Sequence, residues 1–289
     1  MLSDNIKYLF FLLILTSVNS HGQIFNIRYD NGIPVIDAII DDRWHTLILD
    51  TGSNNGLHLF IDNILNMPDV KKQEVTPLIA SDLSGKYFHL RQWVVSNLFL
   101  SSVKLNNINI VELQPWGAGI TEPDELNPEG EVIGLGAFSG KIVSINFLDN
   151  KVIFEDTKKN DTKKNNSSSV LNFILTSSGM LVKGMVNNKR LRFIIDTAAT
   201  ESVVFYESLP PGVSFESCDQ IDKYAKRLDC NVISVNALTT TKNNLKFKAI
   251  AMNSTPSADP GFDGIIGLSF LMKHNITIDM LNKKMYVTR

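Results

Sequence analysis

Residues 33–54, IPVIDAIIDDRWHTLILDTGSN, overlay residues 179–200, GMLVKGMVNNKRLRFIIDTAAT, without a gap at a constant offset of 146. Each copy reads as a strand, a polar turn and a second strand that runs into Asp-Thr. The turn residues coincide: Asp41 and Asp42 in one copy, Asn187 and Asn188 in the other. Ahead of the Asp-Thr pairs stand Leu47, Ile48 and Leu49, and Phe193, Ile194 and Ile195, continuous apolar runs of the kind found in strands buried on both faces. They deliver Asp50 and Asp196. A carboxylate at the end of a buried strand is costly unless it finds hydrogen-bond donors, a metal or a second carboxyl with which to share a proton. Two equivalent copies favour the shared proton.

A second matched pair lies downstream, where VIGLGAF from Val132 answers IIGLSFL from Ile265. Asn146 follows Gly134 at the same distance as Asp279 follows Gly267. The segments around them, IVSINFLDNKVIF and NITIDMLNKKMYV, alternate apolar and polar residues about an Asn-Lys turn, as half-buried hairpins do. Between the halves, residues 156–169 (DTKKNDTKKNNSSS) offer nothing to anchor a core and read as a solvated linker. The chain accordingly divides into residues 1–22, an N-terminal half at 23–155, the linker at 156–169 and a C-terminal half at 170–289. Short strands broken by Gly, Asn, Asp and Pro make the expected fold mostly β, with helix expected only around residues 207–211 and 219–227.

DTGS and DTAA, each at the end of an apolar strand and each followed by an apolar-apolar-Gly strand, resemble the pepsin and retropepsin superfamily of aspartic peptidases. With halves of roughly 120 to 135 residues, the chain is most similar in style to bacterial tandem retropepsin-like proteins. The resemblance implies a bilobal acid-protease fold, two related β-barrel-like lobes with the active cleft between them. It implies that Asp50 and Asp196 lie side by side, share one proton and activate water for peptide hydrolysis. Thr51 and Thr197 match the threonines that cross-brace the two loops, Gly52 and Ser53 complete the first loop, and Gly134 and Gly267 match glycines that let a neighbouring strand pass close to each Asp. Ser81, Gly85 and Tyr87 are the flap candidates. In the second loop Ala198 replaces the family's glycine, where a methyl is expected to strain the backbone or disturb the donor to Asp196. Ala199 replaces Ser53, and the resemblance implies that a hydroxyl at that place donates to the neighbouring carboxylate.

The resemblance makes the chain an aspartic endopeptidase of extended peptides, acting as a monomer. A peptide- or protein-binding module without turnover is the runner-up, resting on Ala198. A secreted β-rich structural protein would leave the symmetrical aspartates unexplained. Lys plus Arg number 28 against 30 Asp plus Glu, a balance that gives no reason to expect nucleic acid as a partner. Lys7 and the apolar residues 8–18 read as a signal peptide, too short for the roughly twenty residues that cross a bilayer, with a cut after Ser20 or Gly22. Export to the periplasm or the medium, with no membrane association afterwards, is the corresponding expectation. It makes a Cys218–Cys230 disulfide plausible, a clip that stabilises by about 3 kcal/mol. GLGAFSGK, residues 134–141, lacks the glycine spacing and the Ser or Thr of a phosphate loop. His21, His45, His58, His89 and His274 show no metal-ligand spacing and are expected at the surface or in packing. No metal or cofactor is implied.

Overall fold

The computed structural model describes residues 22–68, 72–81, 87–113, 130–157, 168–221, 227–241, 245–253 and 261–288. Most of the leading segment, Gly85 and most of the polar linker lie outside these. Ten strands come from the N-terminal half: β1 (Gln23–Asp30), β2 (Ile33–Ile40), β3 (Arg43–Asp50), β4 (Leu57–Leu59), β5 (Lys72–Ser81), β6 (Tyr87–Leu100), β7 (Val103–Glu112), β8 (Glu131–Gly134), β9 (Lys141–Asn146) and β10 (Lys151–Asp156). From the other half come β11 (Ser169–Asn172), β12 (Ile174–Thr176), β13 (Gly179–Val186), β14 (Lys189–Ile195), β15 (Val203–Phe205), β16 (Glu216–Ile221), β17 (Arg227–Ala237), β18 (Leu245–Met252), β19 (Gly264–Ile266), β20 (Asn275–Asp279) and β21 (Lys284–Thr288).

Both copies of the repeat fold as hairpins, β2–β3 and β13–β14. Asp41 and Asp42 take φ of 48° and 64°, Asn187 and Asn188 take 42° and 67°. Two successive left-handed residues are what a two-residue turn needs to match the twist of its strands, and Asn and Asp tolerate that conformation best after glycine. Each hairpin then enters a ring. In the N-terminal lobe the order is β2-β3-β8-β4-β7-β6, closed where Ile40 meets Leu100; in the C-terminal lobe it is β13-β14-β19-β15-β18-β17, closed at Gly184 and Met185. The two orders correspond strand for strand, and β5 and β16 flank the rings at equivalent places. Leu47, Leu49, Ile110 and Trp93 fill the first ring, and Phe193, Val204, Val235 and Phe247 the second. Ile48 is only partly covered, so β3 has one buried face where two were expected, whereas Phe193, Ile194 and Ile195 of β14 are all buried.

The lobes are sewn together by a third set of strands in the order β11-β21-β20-β9-β10-β1. Three come from each half. At its centre β9 pairs antiparallel with β20, with Ser144 opposite Thr277, Asn146 opposite Asn275 and Ile142 opposite Asp279. Exchanging the halves maps this register onto itself, so a pseudo-twofold axis passes between Ser144 and Thr277, whose hydroxyls are 3.0 Å apart. The outer hairpins β9–β10 and β20–β21 turn at equivalent places: Asn146 Oδ1 accepts from Asp149 N at 3.0 Å, and Asp279 Oδ1 accepts from Asn282 N at 2.9 Å.

Helix is confined to short pieces among the described residues: α1 (Ile61–Leu65), α2 (Leu268–Leu271) and 3-10 turns at Leu135–Phe138 and Tyr206–Ser208. The last lies where helix was expected around residues 207–211. Of the helix expected over 219–227, residues 219–221 and 227 are strand instead, because β16 and β17 pair from Cys218 opposite Cys230 down to Ile221 opposite Arg227; residues 222–226 lie outside the described residues. The two cysteines form a disulfide with Cα atoms 5.1 Å apart.

Candidate active site

Parallel pairing places each aspartate against a glycine-bearing strand: Asp50 is opposite Gly134 in β3–β8, and β14–β19 brings Ile195 opposite Ile266 beside Asp196 and Gly267. The contact is too close for any side chain. A Cβ at Gly134 would lie 2.4 Å from Asn55 O, and one at Gly267 would lie 2.3 Å from Glu201 O. The following amides then hold the loops, Leu135 N donating to Ser53 O and Leu268 N to Ala199 O, each at 2.8 Å. Glycine is required here for space, since neither residue has a left-handed φ.

The loops clasp each other through their threonines. Thr51 N donates to Thr197 Oγ1 at 3.0 Å, and Thr197 N donates to Thr51 Oγ1 at 3.1 Å. Thr51 Oγ1 donates in turn to Ile195 O at 2.9 Å, and Thr197 Oγ1 to Leu49 O. Both threonines are buried, so each hydroxyl satisfies one buried donor and one buried acceptor of the opposite lobe. A second tie runs from Asn54 Nδ2 to Thr176 O.

Inside the clasp the carboxyls of Asp50 and Asp196 are hydrogen-bonded to each other. Asp50 Oδ1 accepts from Gly52 N at 2.8 Å and Ser53 N at 3.2 Å; Asp196 Oδ1 accepts from Ala198 N at 2.7 Å and Ala199 N at 3.1 Å. Burial, followed by the neighbouring Asp196 charge, pushes Asp50 well above the ordinary carboxylate range. Burial raises Asp196 as well, but its two amide donors and the bond from Asp50 pull it back. Both shifts belong to the pair, which holds one shared proton above the ordinary carboxylate range. Asp50 is 3 % exposed, while Asp196 is only partly covered.

Two expectations about these loops are corrected. Ala198 neither strains the backbone nor loses the donor, for it has no left-handed φ and its N–H is as close to Asp196 as that of Gly52 is to Asp50. The need for glycine at this place is steric and falls on the first loop, where a Cβ at Gly52 would stand 2.7 Å from Asp196 Cγ. Ser53, expected to donate to Asp50, instead shares a 2.8 Å hydrogen bond with His58 Nε2. The contrast between Ser53 and Ala199 therefore does not separate the two carboxyls by a hydroxyl.

Of the flap candidates, Ser81 ends β5 and Tyr87 begins β6 opposite it, its side chain 64 % exposed; Gly85 lies outside the described residues. No cluster of metal-ligating side chains occurs among the described residues. The histidines are more involved than expected. His58, on β4, is partly buried beside the first loop, and burial pushes it down to about 4. His45 is buried against Glu131, whose other oxygen accepts from Phe60 N at 2.7 Å and Asn63 Nδ2 at 2.8 Å. His274 Nδ1 meets Phe270 O at 2.9 Å, and His89 is exposed. The repeat itself carried a signal for His58: the equivalent place in the second copy is Val204, an apolar strand residue.

No protein-family model and no curated protein sequence matches the chain. Solved structures do. Basic 7S globulin from soybean is similar over 92 % of this chain and 94 % of its own, with a TM-score of 0.53 at 10 % identity. The aspartic proteinase from Irpex lacteus is similar over 92 % and 97 %, with a TM-score of 0.51 at 13 % identity. The fold is the pepsin-like bilobal fold. At such identities the likeness reaches the fold alone, and one of these neighbours is named a globulin and the other a proteinase.

Proposed function

We propose that this pepsin-like chain is an aspartic endopeptidase with Asp50 and Asp196 as its catalytic residues. The observation that carries the reading is the mutually hydrogen-bonded carboxyl pair, Asp50 buried and Asp196 partly covered, held in place from both lobes. The ionised member of the pair takes a proton from a water molecule as the water oxygen adds to the carbonyl carbon of the substrate peptide. The protonated member gives its proton to the carbonyl oxygen. The resulting tetrahedral diol collapses as the amide nitrogen is protonated and the C–N bond breaks, returning one proton to the pair. In this reading Thr51 and Thr197 keep the carboxyls aligned, and the amides of residues 52, 53, 198 and 199 hold each inner oxygen. The substrate class is an extended peptide lying between the lobes, met after export and removal of the leading segment. Mass spectrometry of mature protein from its native host tests the latter.

The experiment is digestion of an unfolded protein mixture from about pH 3 to about pH 8, with Asp50→Asn and Asp196→Asn as controls. Each substitution should lower the rate by about 10²–10⁴-fold or more while leaving the fold intact. Cleavage that persists in either variant removes that aspartate from the reaction. A folded wild type that cleaves nothing but binds peptides selects a second reading, a peptide-binding module; Ala198, which first suggested it, leaves the donor to Asp196 in place.

A further inference from the structure

Ser53 is placed to serve Asp50 and is turned elsewhere. Its own N–H bonds Asp50 Oδ1 at 3.2 Å, so one rotation about χ1 separates its hydroxyl from the same carboxyl. That hydroxyl accepts from Asn55 N at 3.3 Å and lies 2.8 Å from His58 Nε2, which Asn55 Nδ2 also approaches at 3.4 Å. An amide NH2 can only donate, so the approach of Asn55 Nδ2 to Nε2 assigns the imidazole proton to Nδ1 and leaves Nε2 as the acceptor of the Ser53 O–H. The second lobe has neither partner, carrying Ala199 and Val204 at the equivalent positions. A polar pair present on one side of an otherwise matched site calls for an explanation.

We propose that His58 is a positioning residue that holds the Ser53 hydroxyl off Asp50, so that the Asp50 carboxyl accepts from backbone amides and not from a hydroxyl. The inference rests on the reading of Asp50 and Asp196 as a working dyad. Because hydrogen bonds to an ionised carboxyl favour ionisation, a hydroxyl released onto Asp50 would weaken its hold on the proton. Burial keeps His58 neutral down to about 4. Above that pH the imidazole accepts and the hydroxyl stays turned away; below it, Nε2 becomes a donor and the hydroxyl is free to swing to Asp50.

The strands around His58 leave this to the imidazole and the dyad. It is opposite Val111 of β7 and Val132 of β8. The carboxylates on those strands, Glu112 and Glu131, sit one residue away in register and so project to the other face of the sheet. Glu131 is occupied there with His45, Phe60 and Asn63.

The test is titration of the full chain carrying ¹³C-labelled aspartate carboxyls, followed by NMR, which needs no turnover. His58→Leu should lower the upper apparent pKa of the pair by about one unit. The lower step should move less, since wild-type His58 has begun to protonate there. His58→Gln, whose amide oxygen accepts in place of Nε2, should titrate like wild type, and so should Ser53→Ala/His58→Leu, which has no hydroxyl to release. An unshifted upper pKa in folded His58→Leu overturns the proposal, as does an equal shift in the double variant. If the carboxyls titrate as stated but peptides are not cleaved, the endopeptidase reading fails and the role of His58 stands. If peptides are cleaved and the shifts are absent, the reverse holds.

Discussion

Replacing Thr51 by valine removes one hydroxyl and almost no volume, which makes it a clean probe of the clasp between the lobes. The hydroxyl accepts from Thr197 N and donates to Ile195 O, at 3.1 and 2.9 Å, in a site with no exposed surface. Its loss strands one buried N–H and one buried C=O in the opposite lobe. Each such group costs about 1–3 kcal/mol, so Thr51→Val should destabilise by about 2–6 kcal/mol. That is a large share of the roughly 5–15 kcal/mol by which a typical domain is folded. Thr51→Ser keeps both bonds and gives up one methyl, for about 1 kcal/mol. Thr197→Val breaks a disjoint set of bonds, those from Thr51 N and to Leu49 O, but the two threonines touch in one network, so the double variant should depart from the sum by about 0.5 kcal/mol or more. Urea unfolding followed by tryptophan fluorescence reads all four. If Thr51→Val fell within about 0.5 kcal/mol of wild type, or matched Thr51→Ser, the hydroxyl would not be satisfying the groups it bonds.

Gly267→Ala should destabilise by more than about 3 kcal/mol, because its Cβ would meet Glu201 O at 2.3 Å; Gly140→Ala, with nothing within 4 Å but φ of +68°, should cost about 1 kcal/mol, as differential calorimetry would show. Both aspartates have raised pKa values in the fold, so the stability they contribute is fully present below the ordinary carboxylate range and is lost as pH rises through the raised values. Asp50→Asn removes the Asp50 share of that loss, and its stability relative to wild type should climb as pH rises above the ordinary carboxylate range; a pH-independent difference in urea midpoints would contradict it. Reducing the Cys218–Cys230 bond should cost about 3 kcal/mol and raise hydrogen exchange first in β16, which among the described residues pairs with β17 alone.

Much of this architecture is written locally. The gapless repeat around Asp50 and Asp196 carries hairpin length, turn conformation and the approach of β8 and β19, because each depends on neighbouring residues or on a glycine that nothing else can replace. What escapes is decided across the chain. The sequence of residues 219–227 carries a helical spacing, yet residues 219–221 pair with β17, which is also paired with β13 and β18. His45 and Glu131 are 86 residues apart, and neither looks unusual until β3 and β8 bring them together. Ser53 and His58 are close in sequence, but the choice of His58 over Asp50 as partner of the hydroxyl belongs to the placement of β4. The departure at Ala198 was visible and its consequence was not, because the room for a methyl is set by the facing loop.

The seam between β9 and β20 has a further meaning for the separated halves. Three strands on each side belong wholly to one half, and no strand is exchanged across the axis at Ser144 and Thr277. Cut from its partner, the N-terminal half would present β9 as an open edge with alternating apolar residues, Val143 and Ile145 among them, already shaped to receive an antiparallel strand. The nearest substitute is β9 of another copy. Such a homodimer would set Ser144 against Ser144, clasp Thr51 with Thr51 and face Asp50 with Asp50, giving true symmetry where the single chain has only its likeness. The two halves of this chain are thus joined as subunits are, with the covalent link serving to fix their ratio and to let each side of the site vary alone, as His58 and Val204 have done.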